Sequence, residues 1–237
     1  MRLDELKIKI FADGADIESI QKLNKLNYIQ GFTTNPSLMK KAGINNYKDF
    51  AIDLLSKIKD KPISFEVFSD ELAEMEIQAN EISKWGDNVN IKIPVTNTKR
   101  EKATDLIRKL SSRGIACNVT ALFTIQQIEE VFEAIDKSTP AILSIFAGRI
   151  ADTGVDPSEI INHAVKLSKL KPNTKILWAS TREILNIFQA NNLGCHIITV
   201  PHDILNKLSS LNKSLDEYSL ETVKSFYKDA VSAGFKI

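Results

Sequence analysis

A lysine inside a strand-like run is the first group in this chain with covalent chemistry to offer: Lys92 stands in Val89-Asn90-Ile91-Lys92-Ile93-Pro94. Side chains on a strand alternate between faces, so residues two apart share a side. Val89, Ile91 and Ile93 suit a face packed under helices, which turns Asn90 and Lys92 the other way. Along 63–68, Ile63, Phe65 and Val67 point outward and Ser64, Glu66 and Phe68 inward. Along 115–120, Ile115, Cys117 and Val119 oppose Asn118 and Thr120, and Ile8 and Ile10 oppose Asp13. Leu143 and Ile145 likewise oppose Ser144 and Phe146. A lysine and two carboxylates therefore converge. A free amine attacks a ketone to form a Schiff base, and carboxylates can move the protons as water leaves and a carbon–carbon bond breaks. The competing explanation is a buried ion pair that serves only the core. An ordinary lysine pKa of about 10.4 leaves little free amine at neutral pH. Burial favours the amine and nearby carboxylates favour the ammonium, so the balance stays open.

These side chains need a frame that points them to one place. β-rich runs occur near 8–12, 29–33, 63–68, 89–94, 115–120, 140–146, 174–179 and 196–200. Between them lie helical periodicities, such as Ile52, Leu55 and Ile58, then Leu72, Met75, Ile77 and Ile82, then Ile128, Val131, Phe132 and Ile135. Strands separated by helices run parallel, and eight βα repeats predict a closed (β/α)8 TIM barrel of the α/β class. Active sites of such barrels form at the C-terminal strand ends, where the polar inward residues gather. Asp13-Gly14-Ala15-Asp16 is not GxGxxG and no GxxxxGK[ST] occurs, which disfavours nucleotide-binding α/β folds. No Gly/Ser/Pro-rich linker divides the chain, so one domain over 1–237 is expected, with the barrel at about 8–212. Two further helices are predicted over 202–211 and about 216–234, one more than a barrel needs to close.

With 31 basic and 30 acidic residues, no overall field draws nucleic acid or an anionic membrane surface. No stretch approaches 18 uncharged apolar residues and the first residues lack a signal-peptide core, so export and insertion are disfavoured and a cytoplasmic location is expected. Cys117 and Cys195 stand far apart outside any ligand spacing and are taken as reduced thiols. His163, His196 and His202 make no metal pattern, so neither metal nor cofactor is expected.

Several short motifs together resemble the transaldolase family, over nearly every strand from Asp13 to Pro201. They are Asp13-Gly14-Ala15, Thr33-Thr34-Asn35-Pro36-Ser37-Leu38, Lys92-Ile93-Pro94, Asn118-Val119-Thr120-Ala121-Leu122-Phe123, Ser144-Ile145-Phe146-Ala147-Gly148-Arg149 and Ala179-Ser180-Thr181-Arg182. The resemblance implies a class I aldolase-like barrel in which Lys92 forms the imine with a donor ketose and Asp13 is the general acid and base. It implies that Glu66 and Thr120 hold the catalytic water. Asn35, Thr33 and Asn118 would meet the donor's hydroxyls, with Ser144 and Phe146 at the dihydroxyacetone end. Arg149, Ser180 and Arg182 would bind phosphate, for which a guanidinium's planar fork is suited.

Within this resemblance the fructose-6-phosphate aldolase branch is the nearest competitor. That branch typically carries glutamine where this chain has Glu66 and tyrosine where it has Phe146, so both positions side with transaldolase. The resemblance then implies reversible transfer of a dihydroxyacetone unit from sedoheptulose 7-phosphate to glyceraldehyde 3-phosphate. Two functions of a different kind would fit the same frame: a phosphate-binding isomerase barrel, which would not need a lysine imine, and a non-catalytic barrel that binds sugar phosphates. Small members often assemble as rings, so a homo-oligomer is a further implication. Two positions depart from the family: Ile145 stands where many members have proline, and Trp178 where a small residue is common. Trp178 shares nominal parity with Ser180, so it would either narrow the phosphate approach or simply fill core.

Overall fold

The computed structural model describes residues 3–236. Met1, Arg2 and Ile237, the ends of the expected domain, lie outside the described residues, as does the Asp4 side chain. Strands and helices alternate as β1 (Lys9–Asp13), α1 (Ile17–Asn24), β2 (Ile29–Thr33), α2 (Pro36–Lys41), α3 (Tyr47–Lys57), β3 (Ile63–Glu66), α4 (Leu72–Ile82), β4 (Val89–Pro94) and α5 (Thr104–Ser112). They continue as β5 (Cys117–Leu122), α6 (Ile125–Ala134), β6 (Ala141–Ile145), α7 (Ala147–Ala151), α8 (Ser158–Ser168), β7 (Thr174–Trp178), α9 (Leu185–Asn192), β8 (Ile197–Pro201), α10 (His202–Asn206) and α11 (Leu215–Ser232). A short 3-10 turn, Lys207–Ser210, extends α10. Every strand pairs in parallel with its neighbours in chain order, and β8 closes onto β1. This is the (β/α)8 barrel expected, with α11 beyond it.

Helix starts follow local side-chain chemistry. Asp16 accepts from Ser19 N at α1, Asn46 from Asp49 N at α3, and Thr124 with Gln127 forms a capping box at α6. Each satisfies backbone N–H groups that the first helical turn leaves without partners.

The sheet separates two apolar regions. Ile8, Ile10, Ala12, Phe65, Ile91, Ile93, Cys117 and Val119 pack outward beneath the helices. Phe11, Ile142, Leu177, Ala179 and Ile197 fill the barrel's inside, with Phe146 against them. Burial pushes the thiols of Cys117 and Cys195 up to about 12, so both are unionised at neutral pH.

Three expectations fail. Parity turns Phe68 inward, but β3 stops at Glu66 and Phe68 lies beyond the alternation. Its N–H donates to Gln78 Oε1 of α4, and its exposed ring meets Tyr47 edge-on at 5.4 Å. Ile52 and Ile77 belong to helical periodicities, yet both are exposed, so each amphipathic stripe is narrower than the apolar pattern. Trp178 does not share a face with Ser180. It packs in the outer layer, and Ser180 has φ +64, which interrupts strand alternation between them. Trp178 therefore fills core.

Candidate active site

Strand register gathers the reactive side chains. β3 and β4 place Glu66 level with Lys92, and β4 and β5 place Lys92 level with Asn118 and Pro94 with Thr120. Asp13 ends β1 level with Thr33 of β2 and Pro201 of β8. All these residues lie toward the C-terminal mouth.

Lys92 is only 7% exposed. Its Nζ lies 3.0 Å from Glu66 Oε2 and donates to the Thr34 carbonyl at 2.8 Å. Tyr47 in turn donates its hydroxyl to the Glu66 carbonyl at 2.8 Å, which ties the end of β3 to α3. The lysine thus sits at the end of a stiff strand with two oxygen partners and little water.

Asp13 accepts a hydrogen bond of 2.7 Å from Thr33 Oγ1. The Thr199 hydroxyl bonds to the same Thr33 oxygen, and because Thr33's one proton is committed to Asp13, Thr199 is the donor. Burial holds the Asp13 carboxyl above the usual range, against the opposing pull of Lys92 and the Thr33 hydrogen bond. Such a group retains its proton to higher pH than an exposed aspartate and can deliver it. Beside it His202 packs on Gly14, where a Cβ would come within 2.5 Å of Nε2. Burial shifts this imidazole's pKa down, and the carboxylates of Asp13, Asp16 and Asp203 oppose the shift.

A second polar chain crosses the inside of the barrel. Asn118 donates from Nδ2 to Ser64 Oγ at 3.0 Å and accepts from Ser144 Oγ at 2.6 Å, which orients its amide. Thr120 Oγ1 is buried without a hydrogen-bond partner among the described residues, and the following Ala121 has φ +60 where β5 slips register against β6. An unpaired buried hydroxyl and a bulge beside a site both carry a cost, and both are enriched where function demands them. Asn35 caps α2, its Oδ1 accepting from Leu38 N at 3.0 Å, which fixes the amide and leaves its two Nδ2 donors and one Oδ1 lone pair for a ligand.

The arginines form a third group. Arg149 stacks over Phe146 with its Cζ 4.9 Å from the ring centroid, and Phe146 leans on Phe123. Arg182 is paired through Nε and Nη2 with the carboxylate of Asp152, at 3.2 Å for the Nε contact. The hydrogen bond from Arg182, with the charges of Arg182 and Arg149, holds the Asp152 carboxyl below its usual range. Asn186 Oδ1 accepts from the backbone N–H groups of Arg182 and Glu183 and fixes this loop.

Parity thus anticipates the Glu66–Lys92–Asn118 row. It misses Thr199, although Thr199 shares the inward side with Ile197. It also misses the Thr34 carbonyl, which no side-chain pattern reports, and Asp152, whose partner is 30 residues away.

A family model described as "Transaldolase/Fructose-6-phosphate aldolase" matches residues 10–237. The chain is 36% identical over 202 residues to a "Probable transaldolase" of Dehalococcoides mccartyi, covering 85% of this chain and 90% of that protein. It is 35% identical over 230 residues to one from Streptococcus equi subsp. zooepidemicus, covering 95% and 99%. A relative from Nitrosopumilus maritimus is 35% identical over 224 residues, covering 94% of each. Among solved structures, an HpcH/Hpal aldolase/citrate lyase family protein from Burkholderia cenocepacia superposes with TM-score 0.59 at 12% identity, over 92% of this chain and 97% of that one. A 2,3-dimethylmalate lyase gives 0.57 at 13% identity, over 97% and 96%. At such identities these two structures speak to the fold alone.

Proposed function

The chain belongs to the transaldolase/fructose-6-phosphate aldolase family, and from that premise we propose that it is a transaldolase working through a Schiff base on Lys92. The observation that carries this is the buried Lys92 amine between Glu66 and the Thr34 carbonyl, on the same barrel mouth as an aspartate with a raised pKa.

In this scheme the Lys92 amine adds to the C2 ketone of the donor, and the carbinolamine loses water to give an iminium ion. Glu66 and Thr120 position that water and its proton. Asp13 accepts the proton of the C4 hydroxyl, the C3–C4 bond breaks, and its electron pair moves to the iminium to leave an enamine. The first aldehyde departs. The enamine then adds to an acceptor aldehyde, Asp13 returns the proton to the new alkoxide, and hydrolysis frees Lys92. Asn35, Thr33, Asn118 and Ser144 would bond the ketose hydroxyls.

Transfer is favoured over release because Phe146 has no hydroxyl with which to orient water at the imine, and Glu66 is a carboxylate rather than an amide. The proposed donor and acceptor are sedoheptulose 7-phosphate and glyceraldehyde 3-phosphate, yielding erythrose 4-phosphate and fructose 6-phosphate. Arg149, Ser180 and Arg182 would take the phosphate, whose oxygens compete with Asp152 for the Arg182 fork. Asp152 then serves as a resting partner that keeps Arg182 aimed.

The chain is further read as one domain that assembles with copies of itself in the cytoplasm. None of the residues of α11 is buried, yet it presents Tyr218, Val223, Phe226, Tyr227 and Val231. A helix with an apolar stripe gains most of its stability by packing it, so a second copy supplies the missing surface. No helix among the described residues is long and apolar enough to cross a membrane.

Borohydride reduction in the presence of fructose 6-phosphate, followed by mass spectrometry, tests the covalent step. The expected product is one dihydroxyacetone-derived adduct on Lys92, absent from Lys92→Met. Missing or misplaced adduct in the wild-type chain refutes the mechanism.

A further inference from the structure

A cavity of about 630 Å³ lies at the opposite end of the barrel. That size falls in the range of small-molecule sites. It opens at the N-terminal mouth, where β1, β2, β4, β6, β7 and β8 all contribute lining residues. Its inner wall is apolar: Phe11, Ile142 and Ile197, the same side chains that plug the barrel and separate this mouth from Lys92. Its rim is cationic, formed by Lys7, Lys9 and Lys175, and among the described residues no aspartate or glutamate lines it.

Lys9 and Lys175 owe their position to parity. Lys9 precedes Phe11 and Asp13 on the inward side of β1, and Lys175 precedes Leu177 on that of β7. Lys7 and Lys9 have no side-chain hydrogen bond or ion pair among the described residues, whereas Lys175 donates only to the nearby Pro172 carbonyl at 2.7 Å. Gln30 and Asn90 bring amides with no hydrogen bond among the described residues. His196 accepts from Ile176 N through Nδ1 at 3.0 Å, which leaves Nε2 as the N–H of the neutral ring.

Unpaired lysines without carboxylates favour an anion, free amides suit the edge of a polar ring, and the apolar wall suits its face. We propose that the N-terminal mouth binds a small phosphorylated ring compound of mononucleotide size, independently of the chemistry at Lys92. The phosphate rests among Lys7, Lys9 and Lys175, and the ring enters toward Phe11 and Ile142 beside Gln30 and Asn90.

Isothermal titration calorimetry of the full-length chain with adenosine monophosphate, adenosine and inorganic phosphate tests this. The nucleotide is expected to bind at one site per chain, with adenosine and phosphate each weaker by about tenfold or more, since each keeps half the contacts. Affinity should fall with added salt. Lys9→Glu and Lys175→Glu should each weaken nucleotide binding by roughly ten- to a hundredfold without changing catalysis, the magnitude of a charged hydrogen bond. Lys9→Gln and Lys175→Gln, which add no opposite charge, should show a smaller loss in the same direction. Arg182→Ala should leave binding intact. Absence of nucleotide binding, equal binding of adenosine or phosphate alone, indifference to the lysine variants, or loss in Arg182→Ala would each overturn the proposal.

Discussion

Burying Asp13 raises its carboxyl pKa, so the folded chain holds this proton more tightly than the unfolded chain does. The stability consequence follows from linkage. Below the unfolded pKa both states are protonated and the group is neutral in effect; as pH rises toward the folded pKa the unfolded state releases its proton first and is favoured. Asp13 therefore costs stability at neutral pH. Asp13→Asn should raise the neutral-pH melting temperature, the gain vanishing below the ordinary carboxylate range, while cleavage activity collapses and borohydride-trappable imine survives. A variant less stable than wild type at pH 7 and equal to it in acid would contradict the buried-carboxylate account. At this scale the sequence exposed side chains with distinctive chemistry, such as Lys92, Glu66 and Asp13. It hid the partners that steady them: Thr199 looks like any β-branched strand residue, and the Thr34 oxygen that meets Lys92 belongs to the backbone.

Between elements, the joint from β6 into α7 is the tightest contact near the site. A Cβ on Gly148 would stand 1.7 Å from the Ser180 carbonyl, a backbone atom that cannot turn aside. Ser180 is already held at φ +64, and Arg149 follows Gly148 directly. Gly148→Ala should therefore push the loops after β6 and β7 apart and destabilise the fold by about 1–3 kcal/mol, the usual cost of overpacking. Its KM for phosphorylated substrates should rise further than its kcat falls. Thermal melts and steady-state kinetics check this, and a fully wild-type profile would mean that the two loops do not need their close approach. Strand parity was legible wherever alternation runs unbroken, as in β1, β4 and β6. It failed at Phe68 and Trp178, because β3 ends two residues early and a left-handed residue follows β7. Those departures are backbone events that side-chain patterning cannot encode. The eight βα repeats were legible because each apolar run must be buried on a period its element sets.

For the whole molecule, the unburied α11 is the main unsolved packing problem. If a second copy covers it, stability and assembly are linked and melting temperature rises with protein concentration. Phe226→Asp should then shift the mass measured by light scattering after size exclusion from an oligomer to a single chain. Phe226 is 68% exposed, so the isolated fold loses little packing by the change. A wild-type chain that is already monomeric at high concentration would remove this role from α11. Oligomeric state was illegible in the sequence because an apolar stripe facing another copy has the same periodicity as one facing the chain's own core.

The two oxygens around Lys92 can be counted against its protons. An ammonium has three N–H bonds and can serve both the Glu66 carboxylate and the Thr34 carbonyl. A protonated imine at the same nitrogen has only one. Under the Schiff-base mechanism proposed above, covalent capture of a ketose must therefore release at least one of these partners. If Glu66 is released, a carboxylate becomes free to manage water as soon as the intermediate exists; if Thr34 is released, the loop leading to Asn35 is untied while the sugar is attached. In that proposed mechanism the lysine's loss of N–H donors is a signal to its surroundings, sent by bond formation itself.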